Sequence, residues 1–210
     1  MTPLSPAYDT KIAWRYSART IEHKVENKTA LQKELGWPME PKVPVVCLPA
    51  GMSDELGGAL LKELLPGLLS MSLELLVLGK GNAAYGELFT ELARERGHRI
   101  AIIPNEDDNL RKMLAASDIA FFLADPDSMP ELTSCLQYGV VPIAPACKAL
   151  NDYNPVQETG NAFLAPDETS WLLFASLVRA LETFKFPFDW RTIQRHGMET
   201  MGGTKEENEG

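Results

Sequence analysis

The feature that most constrains the fold is a regular alternation of short apolar runs with helix-like segments through the middle of the chain. Short continuous apolar strands are typical of parallel sheets that are covered by helices on both faces. The alternation therefore predicts an α/β fold, a single Rossmann-like domain with a parallel sheet flanked by helices. The five runs are Val43 to Leu48, Leu73 to Leu78, Arg99 to Ile103, Asp118 to Leu123 and Val140 to Ala144.

Helical periodicity supports this interpretation. The helix after the second run is predicted to end at Gly97, and its apolar residues recur at helical spacing: Tyr85, Leu88, Phe89, Leu92 and Ala93. Two further helices lie outside the alternation. One is predicted to be capped by Asn27 and ended by Gly36. The other, within Asp167 to Phe184, has an apolar stripe that includes Trp171 and is stopped by Pro187.

The length and composition favour one buried core. The chain has 210 residues, 45% of them hydrophobic, which is enough for one domain and too little for two full ones. We predict one domain over residues 1–200, with helical additions at both ends. Residues 201–210 are charged, lack apolar anchors and are predicted to be a disordered acidic tail.

Charge and cysteine usage exclude several function classes. A net charge of −9 argues against a nucleic-acid surface, which needs clustered Lys and Arg. No signal peptide or membrane span is apparent, so we expect a cytoplasmic protein without a membrane role. The odd, widely spaced Cys47, Cys135 and Cys147 are interpreted as small core residues in a reducing compartment. The histidines are far apart, and we expect no metal and no cofactor.

The junction after the first apolar run raises a question about function. In nucleotide-using α/β proteins, a strand, turn and helix in this order hold phosphate on backbone N–H groups. Here the turn contains Pro49, Ala50 and Gly51, and no Lys or Arg occurs between Val45 and Lys62. Phosphate binding at this turn would therefore lack a cation from the same segment.

Four blocks of sequence resemble a known family. The chain is similar, nearly end to end, to the C-terminal half of bacterial glycogen synthases and plant starch synthases, which are retaining glucosyltransferases of the two-domain GT-B architecture. The second block contains a Leu-Gly-x-Gly turn, the third a Tyr-Gly-x-x-Pro turn, and the last a closing Trp followed by His-Gly-Met. The blocks are Ser5 to Pro38, Leu64 to Ala93, Leu136 to Ala144 and Trp190 to Met198.

The resemblance implies a nucleotide-sugar site and also shows where this chain departs from it. The family's C-terminal half holds ADP-glucose or UDP-glucose, and its N-terminal half holds the glucan acceptor. The family's Arg and Lys, which neutralise the diphosphate, fall on Gly51 and Leu56. The carboxylate that contacts the donor sugar falls on Pro126. Asp125, Asp127 or Glu131 could replace that carboxylate only in a rebuilt loop, and Asp-Pro-Asp-Ser is otherwise a turn sequence.

Two further family elements are altered. The family's Thr-Gly-Gly-Leu stretch, whose amides approach phosphate, is matched by Ala146 to Ala149, where Lys148 is either a phosphate-side charge or a solvated loop lysine. The aromatic residue that stacks near the nucleotide base falls on Glu106. The residues that build the domain persist, among them Gly79, Gly81, Gly139, Pro142 and Trp190. All four tryptophans, Trp14, Trp37, Trp171 and Trp190, are expected in the core.

Three functions remain open at this point. The favoured one is a non-catalytic relative, inactive alone, that binds a carbohydrate, a nucleotide or a protein partner. A second is a glucosyltransferase subunit that uses ADP-glucose or UDP-glucose with a separate N-terminal-type synthase domain in trans, and a third is a nucleotide-sugar binding module. We assign no catalytic residue. The candidate ligand-binding residues are Gly51, Met52, Ser53, Gly79, Gly81, Asp127 and Lys148.

Overall fold

A computed structural model describes residues 5–202 and contains one six-stranded sheet. Every pair of neighbouring strands is parallel, and the spatial order is β3-β2-β1-β4-β5-β6. The order reverses between β1 and β4, which places the two halves of the sheet side by side. The strands are β1 Val45–Leu48, β2 Glu74–Gly79, β3 Ile100–Pro104, β4 Ile119–Phe121, β5 Val141–Pro145 and β6 Phe163–Ala165.

Helices connect most of the strands and cover both faces of the sheet. A 3₁₀ helix, Ala18–His23, leads directly into α1. The α-helices are α1 Lys24–Glu34, α2 Gly58–Ser70, α3 Ala83–Glu95, α4 Asp107–Ala116, α5 Pro130–Gln137, α6 Ser170–Phe184 and α7 Pro187–Gly202.

Alternate residues of each strand face two separate hydrophobic cores. In β1, Val46 and Leu48 pack with residues of α2, α3 and α6 on one face, and Val45 and Cys47 pack with residues of α1, α4 and α5 on the other. All four β1 side chains are buried. A strand that is covered on both faces has no polar positions, which is why its sequence reads as a continuous apolar run.

The predicted α/β fold is confirmed, with one strand missed. All five predicted apolar runs contain a strand, within a few residues of the predicted ends. The sixth strand, β6, has only three residues and follows β5 without an intervening helix. The four apolar residues between Asn161 and Pro166 carry too little periodicity to be recognised from sequence as a strand.

Several details of the helices differ from the predictions. Asn27 does not cap a helix: it lies inside α1, where its side-chain amide exchanges hydrogen bonds with the backbone of Trp14. The third helix ends at Glu95, and the left-handed residue beyond it is His98 rather than Gly97. Pro187 does separate α6 from the last helix, because it is the first residue of α7. A proline in the first turn of a helix loses no hydrogen bond.

Some expected core residues are exposed. Trp190 is buried and Trp37 is partly buried, but the exposed fractions of Trp14 and Trp171 are 51% and 75%. Trp171 lies in the first turn of α6 and is exposed, although the sequence places it in the apolar stripe of that helix. Cys147 is also partly exposed, in contrast to the buried Cys47 and Cys135.

The end of the chain is only partly described. Helix α7 continues through Gly202, and the remaining part of the predicted tail, residues 203–210, lies outside the described residues. Within residues 5–202, every helix is too short or too polar to cross a bilayer.

Candidate functional site

The carboxyl edge of the sheet beside β1 and β4 is the candidate site. In open parallel sheets, ligands bind beyond the carboxyl ends of the strands at the point where the strand order reverses. The loops that follow β1, β2, β4 and β5 meet at this edge. The candidate residues named from the sequence all lie in these loops or at the end of β2.

The turns after β1 and β2 are bound tightly to each other. The Met52 N–H donates to the Lys80 carbonyl at 3.2 Å, and the Asn82 N–H donates to the Met52 carbonyl at 3.0 Å. Gly51 and Gly81 both have positive φ, and a Cβ on either would lie about 2 Å from a carbonyl oxygen of the opposite turn. The two glycines therefore allow backbone to pack on backbone here.

Three amides of the β1–α2 loop donate within the loop itself. The Leu56 and Gly58 N–H groups donate to the Ser53 carbonyl, and the Ser53 hydroxyl donates to Glu55 at 2.8 Å. Tyr85 of α3 donates its hydroxyl to Asp54 at 2.6 Å, and that bond, followed by burial, raises the pKa of Tyr85 to about 12. Ser53 is thus a turn residue, and the loop is fixed by its own contacts.

The crevice between the loops after β1 and β4 is nearly filled. Its volume is about 10 Å³, room for about one water molecule. Leu123 closes it from the β4 side, and a Cβ on Gly57 would lie only 2.6 Å from the Leu123 Cβ. None of the described residues that line this crevice is charged: Ala50, Gly51, Met52, Leu56, Phe121, Phe122, Leu123, Ala124 and Met129.

Asp127, in the loop after β4, binds the loop after β5. Its two carboxylate oxygens accept hydrogen bonds from the N–H groups of Lys148 and Ala149, both at 3.0 Å. These backbone hydrogen bonds, from Ala149 first and then Lys148, lower the pKa of Asp127. The pair of amides is therefore occupied by an anion from the chain itself.

Lys80 brings a positive charge to the same edge. Its Nζ lies 2.8 Å from Oε1 of Glu131, in the first turn of α5. The Lys80 side chain is about half exposed, whereas the Glu131 side chain is 12% exposed. A carboxylate of the chain thus neutralises this cation.

A group that sequence analysis did not predict lies beside Asp127. One ligand atom each of Asp125, Asp127 and Cys147 lies within 4.8 Å of the others, as in sites that can hold a metal ion. Burial, and then the hydrogen bond to Asp127, raise the pKa of the Cys147 thiol to about 11. Because Cys147 stands twenty positions from Asp127 in the sequence, spacing gave no signal of this proximity.

A larger recess lies to one side, at the β2–α3 turn. Its volume is about 220 Å³, and its lining includes Met52, Gly79, Gly81 and Tyr85. Asn82 caps α3 there by accepting the Ala84 N–H at 2.9 Å. This recess is therefore bordered by a helix N-terminus.

Six of the seven candidate residues fall into two groups, and the seventh, Ser53, is a residue of the β1–α2 loop. Gly51, Met52, Gly79 and Gly81 come together at the β1 and β2 turns, and Asp127 and Lys148 meet through the Lys148 backbone rather than its ammonium group. Sequence analysis missed Leu123, which is buried in the crevice, and Lys80, which forms the ion pair. Lys80 could have been found from its place inside the Leu-Gly-x-Gly turn.

Sequence comparison finds bacterial glycogen synthases as relatives of this chain. The chain is 32% identical over 203 residues to glycogen synthase 2 of Geobacter sulfurreducens and 30% identical over 203 residues to glycogen synthase of Clostridium perfringens. These alignments cover 92% and 93% of this chain. By sequence, this chain is similar to part of a bacterial glycogen synthase. It spans about two fifths of the length of these curated relatives, 41% and 42%. No family model matches the sequence.

Solved structures of glycosyltransferase domains share the fold of this synthase-like chain. The catalytic domain of starch synthase IV from Arabidopsis thaliana, bound to ADP and acarbose, matches with a TM-score of 0.79 at 20% identity, over 98% of this chain and 45% of that one. The C-terminal domain of the glycosyltransferase LpcC from Francisella tularensis matches with a TM-score of 0.62 at 13% identity, over 86% and 93%. At these identities, the likeness concerns the fold alone.

Proposed function

We propose that the synthase-like chain is a catalytically silent relative of the glycogen and starch synthases that binds a carbohydrate, a nucleotide or a protein partner. The observation that carries this proposal is the crevice between β1 and β4. It has a volume of about 10 Å³, and the residues that line it are apolar or small. A nucleotide diphosphate has no room there, and no charge at that point would stabilise its departure.

The identity of the residues at the edge supports the same proposal. Gly51 and Leu56 stand where the resemblance places cations, and both serve packing: Gly51 against the β2 turn and Leu56 against the core. The candidate ligand surface is instead the recess of about 220 Å³ at the β2–α3 turn, with Gly79 and Gly81. We propose a cytoplasmic location, which agrees with the free thiols of the three cysteines.

Radiolabelled glucosyl transfer tests the proposal. The chain is incubated with ADP-glucose or UDP-glucose and glycogen, with a heat-treated sample as background and a complete bacterial glycogen synthase as positive control. We expect incorporation equal to the background with both donors. Incorporation above background that rises with protein concentration would overturn the proposal.

A second candidate is a transferase subunit whose acceptor domain is a separate chain. The observation that favours it is Lys80, a cation at the carboxyl edge beside the carboxylate of Glu131. Adding the purified acceptor half of a bacterial glycogen synthase to the assay distinguishes this candidate from the catalytically silent relative. Turnover that appears only in the mixture, and that Lys80→Met abolishes, would establish this candidate in place of the first.

A further inference from the structure

The side chain of Trp14 is exposed, but its backbone is held in place by a buried residue. The exposed fraction of Trp14 is 51%, whereas that of Asn27 is 3%. The Asn27 side-chain amide accepts from the Trp14 N–H at 2.9 Å and donates to the Trp14 carbonyl at 2.8 Å. A single exposed apolar side chain is ordinary on a protein surface. A buried amide that binds both backbone groups, however, also fixes the direction in which the indole leaves the chain.

A recess adjoins Trp14 on the same side of α1. Its volume is about 140 Å³, and its lining includes Asn27 and Ala13, the residue before Trp14. The centroid of the Trp14 ring lies 5.8 Å from that of His23, which is the N-cap of α1. His23 stands four positions before Asn27, and residues four apart lie on one side of a helix. The indole and the recess are therefore neighbours.

The floor of the recess is apolar, and its size suits a single ring. Ile12, Ala30 and Leu31 line it, and Ile12 and Leu31 are each 8% exposed. Pockets for drug-sized ligands have volumes of about 300–1,000 Å³. A recess of about 140 Å³ therefore accommodates one ring-sized unit, and the remainder of a longer ligand lies on the surface.

The charged residues that line the recess are held in two ion pairs. Lys112 Nζ lies 2.9 Å from Oε1 of Glu34, and Lys11 Nζ lies 2.7 Å from Oδ2 of Asp108. These side chains are between 34% and 55% exposed, so each pair remains accessible to a ligand. The two ammonium groups and the two carboxylates sum to no net charge. Such a rim offers hydrogen bonds to hydroxyl groups without attracting an anion.

We propose that Trp14 and this recess form a binding site for a neutral oligosaccharide. A pyranose ring has C–H groups on one face, which suit the electron-rich face of an indole. Its hydroxyl groups suit the paired ammonium and carboxylate groups of the rim. One sugar ring lies on Trp14, and the next enters the recess. The site goes beyond the proposed function, because its residues lie outside the loops that follow β1, β2, β4 and β5.

Titration with two tetrasaccharides tests the proposal. Maltotetraose and cellotetraose, which differ in linkage, are added separately to the full chain at up to about 10 mM, a concentration that detects millimolar dissociation constants. Calorimetry gives the affinity, and NMR follows the Trp14 indole N–H and the Asn27 side-chain amide. Sorbitol is the ligand control, since it has hydroxyl groups but no ring face.

Trp14→Ala is the decisive variant, and Trp171→Ala is its matched control. Trp171 is 75% exposed but belongs to α6 and does not line the recess. Trp14→Ala keeps the backbone hydrogen bonds to Asn27, so its Tm should stay within about 2 °C of that of the unmodified chain. A second variant, Ala30→Leu, fills the recess and leaves the indole in place, and leucine is favourable in a helix.

We expect at least one tetrasaccharide to bind and to shift the Trp14 and Asn27 signals. Trp14→Ala and Ala30→Leu should each weaken that binding about tenfold or more, because a few central contacts carry most of the affinity of a site. Trp171→Ala should bind as the unmodified chain does, and sorbitol should not bind.

Three results would contradict the site. They are no binding of either tetrasaccharide, an equal affinity in Trp14→Ala, and an equal loss of affinity in Trp171→Ala. The first of these would assign the exposed indole to a protein partner instead. The outcome is separate from the transfer assay, because glucosyl transfer by the unmodified chain overturns the proposed function whether or not Trp14 binds a sugar.

Discussion

The two edges of the sheet use charge in opposite ways. At the amino edge, where β1, β2 and β4 begin, the charged groups are buried and bound to each other or to backbone. Lys28 lies 2.6 Å from Asp118, and Gln32 donates to both carboxylate oxygens of Glu74 at about 3 Å. At the carboxyl edge, the central crevice is apolar and the charges stand on the exposed rim.

Among the described residues, the buried ion pair therefore belongs to the amino edge and not to the candidate site. Burial multiplies the cost of an unpaired charge, so the amino edge is expected to be sensitive to substitution. Exposed pairs contribute little, so the rim of the carboxyl edge is expected to tolerate change. An enzyme of this architecture would need its costly, preorganised charges at the carboxyl edge.

The largest effect should come from breaking the buried pair at the amino edge. Asp118→Ala leaves Lys28 in the interior without its charge partner and removes the acceptor of the Val45 N–H. We expect the free energy of unfolding in urea to fall by about 3–5 kcal/mol. Asp125→Ala is the control at the other edge. A loss below about 1 kcal/mol for Asp118→Ala would remove the contrast between the edges.

The second-largest effect should come from Leu123, which fills the crevice. Leu123 is 2% exposed, and Leu123→Ala should lower the free energy of unfolding by about 2–5 kcal/mol through the cavity that it leaves. Val156→Ala, at a side chain that is 91% exposed, should change it by less than about 0.5 kcal/mol. Calorimetry with ADP should give the same result for Leu123→Ala as for the unmodified chain, since the cavity gains no cation. A dissociation constant measurable for that variant alone would mean that Leu123 by itself closes the site.

A pH titration should reveal a second buried lysine at the amino edge. Burial lowers the pKa of Lys24 to about 7, and its ammonium group donates to the Leu114 and Ala115 carbonyls at 2.7 and 2.9 Å. Between pH 7 and the ordinary value of 10.5, the unfolded chain binds more protons than the folded chain, so stability rises with pH. The contribution is at most about 1.4 kcal/mol per pH unit.

Comparison with Lys24→Met isolates that contribution. Urea unfolding is measured from about pH 7 to about pH 9 for both proteins, a range in which the buried thiols and phenols remain protonated in the folded chain. We expect the free energy of unfolding of the unmodified chain to increase with pH relative to that of Lys24→Met. Parallel curves would show that Lys24 keeps an ordinary pKa in the folded state.

The smallest effect should come from the rim of the carboxyl edge. Glu131→Gln removes the charge partner of a half-exposed Lys80, and we expect a loss of about 0–1 kcal/mol, or a few degrees in Tm. The loss should shrink in about 0.5 M salt, because salt screens the half-exposed Lys80. A larger loss that persists in salt would place Glu131 among the structural charges.

The sequence predicted the fold well because the fold depends on periodicity. Five apolar runs mark the first five strands, and the regular spacing in Tyr85 and Phe89 marks α3. The features that the sequence did not predict depend on contacts between distant residues or on very short segments. Asn27 reads as a cap, yet its amide bonds to Trp14 thirteen residues earlier, and β6 is too short to show a pattern.

The sequence predicted where the candidate residues lie in the fold, but not that the crevice between them is filled. Resemblance and strand order locate the loops, and Gly51, Gly81 and Asp127 do lie there. No pattern in the sequence indicates that Leu123 fills the crevice or that Asp127 binds the Lys148 and Ala149 amides. Such occlusion is a property of loop packing, which local spacing does not encode.

A crystal structure after soaking with ADP-glucose, and in parallel with UDP-glucose, would test the closed carboxyl edge without any intermediate inference. We predict no nucleotide density between Gly51 and Leu123, and Asp127 still bonded to the Lys148 and Ala149 amides. A diphosphate bound between β1 and β4, with Leu123 displaced and Asp127 released from those amides, would contradict the closed edge.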